Sequence, residues 1–345
     1  MSRSDGLPAH RRRALAGMTS CRPLQRNCGM NDADGKVRRL GNGEPTKLRS
    51  WALAKPRIIL VAFRPFNPRC ASPPLAERIV NHDSSAAAPP PSWRLPAGVP
   101  QGVWEYAHRP QIADDYDEEF ATNTLFDFDE KVLQEAFPSP GAFVDLGCGT
   151  GRALVAMARR GHRAVGVDLS PRFLGIVGEK AGTEQLPVER VCANLIELGC
   201  FADASFDYAA CLFSTLGMIR GRDQRRRALD HIRRILKPAG VFVVHVHNRW
   251  HNLRDPQGRR WLLRNLVWER WRGANEPGDK FFPYRGIREM FLHVYTRGEF
   301  TAELASAGFI VRKLIPLDTA RRHELPRPWL FGRLRANGWI AVCGR

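Results

Sequence analysis

The sequence predicts an α/β protein built on a doubly wound, seven-stranded, mostly parallel sheet with one antiparallel edge strand. Three observations carry this. Between Ala142 and Asn248, short apolar runs alternate with amphipathic stretches of helical period. A glycine-rich turn joins the first of these runs to the first helix. The last two strand-like runs have no long helix between them, which suits a hairpin that turns one strand antiparallel.

The elements follow in order. Residues 114–137 form a helix-prone stretch that ends at Pro138. "AFVDLG" is an apolar run ending in Gly147, hence a buried strand, and "RALVAMARRG" has helical spacing up to Gly161. "RAVGVDLS" is the second strand, and Pro171 suits the first turn of the helix after it. Residues 188–195 and 206–213 are the third and fourth strands. Residues 225–240 read as an amphipathic helix closed by Pro238 and Gly240, and 241–248 as the fifth strand. The alternation then breaks for 249–297, which is dense in Trp and Arg. A helix over 297–308, a strand over 309–318 and a last strand over 337–344 complete the pattern.

The chain has 345 residues and a formal net charge of +18. The charge is uneven: +11 over 1–100, −9 over 101–219, +11 over 220–272 and +5 over 273–345. Basic stripes suit polyanions such as RNA, and they also arise from solubility and Arg-rich composition. Residues 1–95 lack a sustained apolar period and end in the run "SSAAAPPPSW", so they read as a basic, disordered extension and linker, with one short strand at 57–63. The ordered domain spans 102–345. The eight cysteines include no CxxC pair, which points to reduced thiols in a cytoplasmic protein and implies no metal site. No apolar leader is present near the start, and the apolar run 58–63 is too short to span a bilayer.

The chemistry concentrates in "VDLGCGTG" followed by "GVDLS". In a doubly wound sheet the ligand sits beyond the carboxyl ends of the strands, beside such a turn. Glycines there let backbone approach the ligand, and the following helix start offers N–H groups. Asp168 ends the second strand, where an acid can accept both hydroxyls of a ribose. Two nucleoside cofactors compete. A dinucleotide loop has the spacing G-x-G-x-x-G, whereas Gly147, Gly149 and Gly151 are spaced G-x-G-x-G. Asp145, two residues before the first glycine, would repel a pyrophosphate but suits a ligand carrying ammonium or sulfonium charge. The ligand expected is therefore S-adenosylmethionine (SAM) rather than NAD.

These residues resemble the class I SAM-dependent methyltransferases, with a Rossmann-like fold. The match continues through "CANLIEL", "SFDYAACLFSTLGMI" and "RILKPAGVFVVHVHN" in the family's order, and covers 105–248 well and 298–343 in outline. The resemblance implies that Asp145, Gly147, Gly149 and Gly151 form the methionine-binding loop. It implies that Asp168 holds the ribose, with Leu169 packing on adenine, and that Ala193, Asn194 and Leu195 line the adenine edge. An acid is common in that third region, where this chain has Asn194. Leu212 and Phe213 would sit near the transferable methyl, and Tyr116 would close over the cofactor. Simpler structural jobs exist for several of these: helix capping for Asp145 and Asp168, a turn for Asn194, packing for Tyr116.

Methyl transfer is an in-line displacement at an activated carbon, so the enzyme needs alignment and water exclusion more than a base. The candidate catalytic groups are His247 and Asn248, at the end of the fifth strand; His245, on the same face as His247, reads as a core residue. The insert 249–297 lies where it can cap the substrate. Its residues Trp250, Trp261, Trp268 and Trp271 alternate with arginines, which suits base stacking, but Trp261, Leu262, Asn265, Trp268 and Trp271 also share one helical face, which suits packing. Tyr284 and Tyr295 are candidate pocket hydroxyls. The acceptor expected is a small molecule. RNA, such as a tRNA base or its modified side chain, is the alternative, and a non-catalytic SAM-binding regulator is a third reading. The sequence does not indicate an oligomeric state or a membrane partner.

Overall fold

The computed structural model describes residues 90–121, 125–269 and 275–345. The expected extension over 1–95, with its strand at 57–63, lies outside the described residues except for its last few.

Seven strands form one sheet in the order β3-β2-β1-β4-β5-β9-β8. They are β1 (Ala142–Leu146), β2 (Arg163–Asp168), β3 (Val188–Cys192), β4 (Phe206–Cys211), β5 (Leu236–His247), β8 (Ile310–Pro316) and β9 (Gly338–Gly344). β1 pairs parallel with both β2 and β4, and β4 pairs parallel with β5. The one antiparallel strand is β9, which slots between β5 and β8. The strand order reverses between β1 and β4, which makes their carboxyl ends the switch point.

The strand period of two sorts the core onto both faces. Val144, Leu146, Val165, Ala209, Phe242 and Val244 pack on one side, against Ala228, Leu229 and Ile232 of α6 (Arg222–Ile235) and Phe300 of α8 (Arg297–Ser306). Phe143, Ala164, Ala210 and Val243 pack on the other. There they meet α3 (Leu125–Ala136), α4 (Arg152–Arg159) and α5 (Pro171–Thr183). Ser170 caps α5 by accepting the Phe173 N–H, with Pro171 at the first helical position.

Three sequence expectations need correction. The helix expected over 114–137 is two helices, α2 (Pro110–Ala121) and α3, preceded by a further helix, α1 (Gln101–His108). α2 ends at Ala121 and α3 begins at Leu125, and residues 122–124 lie outside the described residues. The helix expected to run to Gly240 stops at Ile235, and Leu236 onward is strand. Pro238 disfavours helical geometry at the residue before it, so the break precedes the proline rather than coinciding with it. Within 249–297 the structure contains an antiparallel hairpin, β6 (Asp279–Tyr284) and β7 (Ile287–His293), that the sequence reading took as irregular. Its two-residue turn is Arg285-Gly286, both at positive φ (48° and 75°), a turn type that matches strand twist but usually announces itself with Asn or Asp before the Gly.

The hairpin makes its own small core. Ile287, Met290 and Phe291 pack with Val103 of α1, Ile112 and Ala113 of α2, and Phe173 of α5. This places α1 and α2 across the carboxyl edge of the sheet. The helix α7 (Pro256–Arg264) and the turn of π-helix after it (Asn265–Glu269) pack behind the hairpin. Leu262 and Asn265 are buried, and Asn265 bonds the Gly278 N–H and the Asp279 carbonyl. The side chain of Trp268 and all of Trp271 lie outside the described residues. For Trp261 and Leu262 the helical spacing therefore serves packing.

Candidate functional site

A cavity of ≈ 1140 Å³, counting its open mouth, lies at the switch point. The turns after β1, β2, β3 and β4 all contribute to it, and α1 and α2 cover it. Of the twelve residues expected to hold the cofactor, eleven line this cavity: Tyr116, Asp145, Gly147, Gly149, Asp168, Leu169, Ala193, Asn194, Leu195, Leu212 and Phe213.

The three glycines divide the work of the loop. All have positive φ. A Cβ on Gly147 would stand 2.3 Å from the Thr215 methyl, and one on Gly151 would stand 2.8 Å from Val177, so both are required by packing. A Cβ on Gly149 would meet no protein atom within 4 Å. It would project into open space in the cavity wall, which is the cradle a closely held ligand needs. Gly151 caps α4 and does not line the cavity.

Asp168 ties two of these turns together. One carboxylate oxygen accepts the Gly149 N–H and the other the Ser170 N–H, both at 2.8 Å. Burial raises its pKa, opposed by these two backbone donors. Asp145 lies one strand over and is 3% exposed. Burial, and then repulsion from Asp168, push its pKa up to about 7. Two buried acids with few cations nearby form a wall that a positively charged ligand would relieve.

Asn194 lines the cavity, but its amide is engaged elsewhere. It donates to the Ala97 carbonyl at 3.0 Å and accepts the Ile196 N–H at 3.4 Å. This fastens the segment leading into α1, so Gly98, Val99, Val103, Tyr106 and Ala107 also line the cavity. The sequence reading missed these, together with Thr215, Met218 and Ile219 after β4. The signal available was the aromatic run "GVWEYAH", which fell just ahead of the recognisable motifs. Tyr106 and Tyr116 both pack edge-on against Phe173, at 5.9 and 5.6 Å between centroids.

The residues expected to do the chemistry lie behind Phe213. Phe213 and Ser214 are both left-handed, with φ of 52° and 67°, an uncommon pair of non-glycine residues in that region. The Ser214 hydroxyl accepts the His247 N–H at 3.0 Å, which ties the end of β4 to the end of β5. The Phe213 ring then stands 6.5 Å from His245 and 6.3 Å from His247. His245 is buried and bonds Asp129 through Nδ1, as a core histidine should. His247 faces a second recess, of ≈ 580 Å³, with Asn248, His251, Asn252, Lys280 and Arg321 among its lining. Burial drives the His247 pKa well down, with His245 and Arg321 adding to the effect, so the imidazole is neutral. Its Nδ1 is buried with no hydrogen-bond partner among the described residues. Asn248, by contrast, gives both amide hydrogens to the Arg333 and Ala336 carbonyls and accepts the Trp250 N–H. That engagement gives it a structural job at the start of the insert. Tyr284 packs against Tyr106, and Tyr295 is buried in the core beside His293, so neither lines the cavity or the recess.

A group of acids and a histidine, Glu276, Asp279 and His293, has donor atoms close enough to hold a metal ion. Here those atoms already bind protein cations and N–H groups. Glu276 holds Arg225 and the Arg222 N–H, and Asp279 holds His293 and the Glu276 N–H. His293 also bonds Glu299, which pairs with Arg249. The cluster reads as an ionic clasp between α6, the hairpin and α8.

Among the described residues no helix is long and apolar enough to cross a membrane. Residues 144–244 match the sequence family described as a methyltransferase domain. A protein of Geobacillus sp. (strain WCH70), provisionally named a methyltransferase, is 33% identical over 121 residues, 35% of this chain and 48% of its own. YqeM of Bacillus subtilis (strain 168), provisionally named likewise, is 27% identical over 131 residues, 38% of this chain and 52% of its own. The chain thus spans about half the length of these curated relatives. A SAM-dependent methyltransferase structure from Methanosarcina mazei superposes with a TM-score of 0.50 at 19% identity. That match covers 62% of this chain and 96% of the other, and shows the shared fold. The strand order and the family match lead to one conclusion: residues 144–244 match a methyltransferase domain, and they sit in a Rossmann-like sheet of the fold that the Methanosarcina mazei methyltransferase shares.

Proposed function

We propose that this protein transfers the methyl group of SAM to a small-molecule acceptor. The observation that carries the reading is the cavity itself, in which Gly149 leaves room for a ligand beside two buried acids at the switch point. The residues fit the cofactor. Asp168, at the end of β2, would accept the ribose hydroxyls while its other lone pairs hold the loop. Asp145 and the turn Gly147–Gly151 suit the charged amino-acid end. Leu169, Ala193 and Leu195 offer an apolar slot for the base, with Asn194 holding the α1 segment against it. Tyr106 and Tyr116 cover the whole and exclude water.

Bound SAM supplies a methyl group on a positively charged sulfur. The protein's part is to set an acceptor in line, and Phe213 is the partition between the cofactor cavity and the recess where we place that acceptor. A neutral His247 beside the partition can take the proton that a hydroxyl or amine acceptor sheds once it is methylated. Even a weakly basic imidazole suffices, because an alkylated oxonium or ammonium is much more acidic than its parent. The insert 249–297 supplies His251, Asn252, Lys280, Phe282, Leu292 and Val294 to the recess, which supports its reading as a substrate cap within the domain 102–345. The recess, ≈ 580 Å³ counting its open side, is of a size for a small acceptor rather than an RNA strand.

The test is direct. Asp168→Ala should weaken SAM binding about tenfold or more, since charged hydrogen bonds are worth about 1.5–3 kcal/mol each. An unchanged dissociation constant in a folded variant would remove the ribose assignment. Labelled methyl transfer into a metabolite extract, lost in His247→Ala but with SAM binding retained, separates a catalyst from a mere SAM binder.

A further inference from the structure

We propose that the acceptor is an anion, held by an oxyanion group between Lys280 and Arg321 in the recess behind Phe213. This rests on the reading of the recess as the acceptor site. The lining gathers four basic side chains, His247, His251, Lys280 and Arg321, and includes no carboxylate. The two permanent cations lack ion-pair partners among the described residues. Lys280 bonds only the neutral Asn252 amide, at 2.6 Å, and stands over the rings of Trp261 and Phe282. Arg321 lies over the Phe213 ring, 4.9 Å from its centroid, and adopts a left-handed backbone with φ 58°.

Placing charge in such a recess without a counter-ion is costly. Burial lowers the pKa of Lys280 and of Arg321 and, with neighbouring arginines adding to it, that of His251. Two acids act on the cluster from outside the lining. Asp255 favours the charged forms of Lys280 and His251, and Asp129 that of Arg321. Both are already engaged: Asp255 accepts the Gly258 N–H at the start of α7, and Asp129 bonds His245. The rest of the molecule shows what a satisfied buried cation looks like. Arg225, 0% exposed, holds Glu276 at 2.8 Å and Glu303 at 3.2 Å. The recess has the cations of such a cluster without its anions, and a ligand that brings a carboxylate or phosphate completes it.

The anion is a handle and not the methylated atom. An oxyanion paired with Arg and Lys is a poor nucleophile, and its charge is used in binding. Arg321 reaches the face of Phe213, so an acceptor gripped there directs its far end toward the partition and His247. The nucleophile at that end donates a lone pair to the methyl carbon, the carbon–sulfur pair stays on sulfur, and the proton passes to His247.

The experiment uses the full chain saturated with S-adenosylhomocysteine (SAH). Calorimetry first measures SAH itself on the native protein and on Arg321→Gln and Lys280→Gln, where equal affinities are expected. Benzoate, phenyl phosphate and neutral benzamide are then titrated. At least one of the two anions should bind tenfold or more tightly than benzamide, and both substitutions should erase that preference. Which anion is preferred tells a carboxylate handle from a phosphate one. Equal affinity for all three probes, no binding of any while SAH binds, or a preference untouched by the substitutions would overturn the proposal. So would a short RNA oligonucleotide that binds more tightly than either anion and is lost in the same variants. Failure of SAH to bind the native protein would overturn the methyltransferase reading instead.

Discussion

In the proposed reading, Asp145 is the residue on which the choice of ligand turns. Its carboxyl is buried beside Asp168, with a pKa pushed up to about 7, so much of it is protonated in the free protein near neutrality. A cationic ligand favours the ionised form, so binding must expel a proton. SAM affinity should therefore rise as pH increases through about 7, and calorimetry in buffers of different ionisation enthalpy should register the released proton. Asp145→Asn should flatten that slope. A pH-independent affinity in the native protein would mean that Asp145 does not face the charged end. The loop glycines separate two functions in the same way. Gly147→Ala should lower the melting temperature, because the new methyl meets Thr215 at 2.3 Å. Gly149→Ala meets no protein atom and should cost mainly SAM affinity, with only the mild strain of a left-handed alanine. Comparing thermal denaturation with SAM titration for the pair distinguishes packing glycine from cradle glycine.

Between elements, the clasp around Arg225 decides how the insert sits. Arg225 belongs to α6, Glu276 to the segment before the hairpin and Glu303 to α8, so one guanidinium pins three pieces of chain that are distant in sequence. Arg225→Met leaves two acids facing one another in a mostly buried place. A loss of about 3–5 kcal/mol in chemical denaturation is expected, the usual cost of breaking a buried pair from one side. A loss below about 1 kcal/mol would show that water reaches the cluster. Helix and strand identities were mostly readable from period, as for β1, α4, β2 and α5. Boundaries were less so. Pro238 says that the helix ends early, but nothing in the local pattern of 225–240 says that the chain prefers to pair Leu236 with Phe206 of β4. That preference comes from a neighbouring strand 30 residues away. The hairpin was missed for a related reason: Arg285-Gly286 is a weak turn signal, and its strands pair only with each other, beside α1.

At the scale of the molecule, the boundary of the functional unit lies a little before the sheet. Ala97 holds Asn194, the Gly98 carbonyl accepts the Arg220 N–H, and both Gly98 and Val99 line the cavity. Removing residues 1–89 should leave the melting temperature and SAH affinity nearly unchanged, whereas removal through Pro100 should weaken SAH binding severalfold or more. Loss of folding in the shorter truncation would show that the basic segment belongs to the domain. The sequence by itself determined the mostly parallel sheet, the succession of its first five strands along the chain and the glycine turn after the first of them, because these depend on local period and on glycines at short spacing. Eleven of the expected cofactor residues meet in one cavity, since motifs at strand ends converge once the strands are parallel. Only the tertiary structure decided that Gly151 serves packing, that the Asn194 and Asn248 amides are spent on backbone carbonyls, and that His247, Lys280 and Arg321 share a recess. Those three come from a strand, an insert and a loop near the end of the chain, and no spacing rule relates residues whose neighbourhood is created by folding.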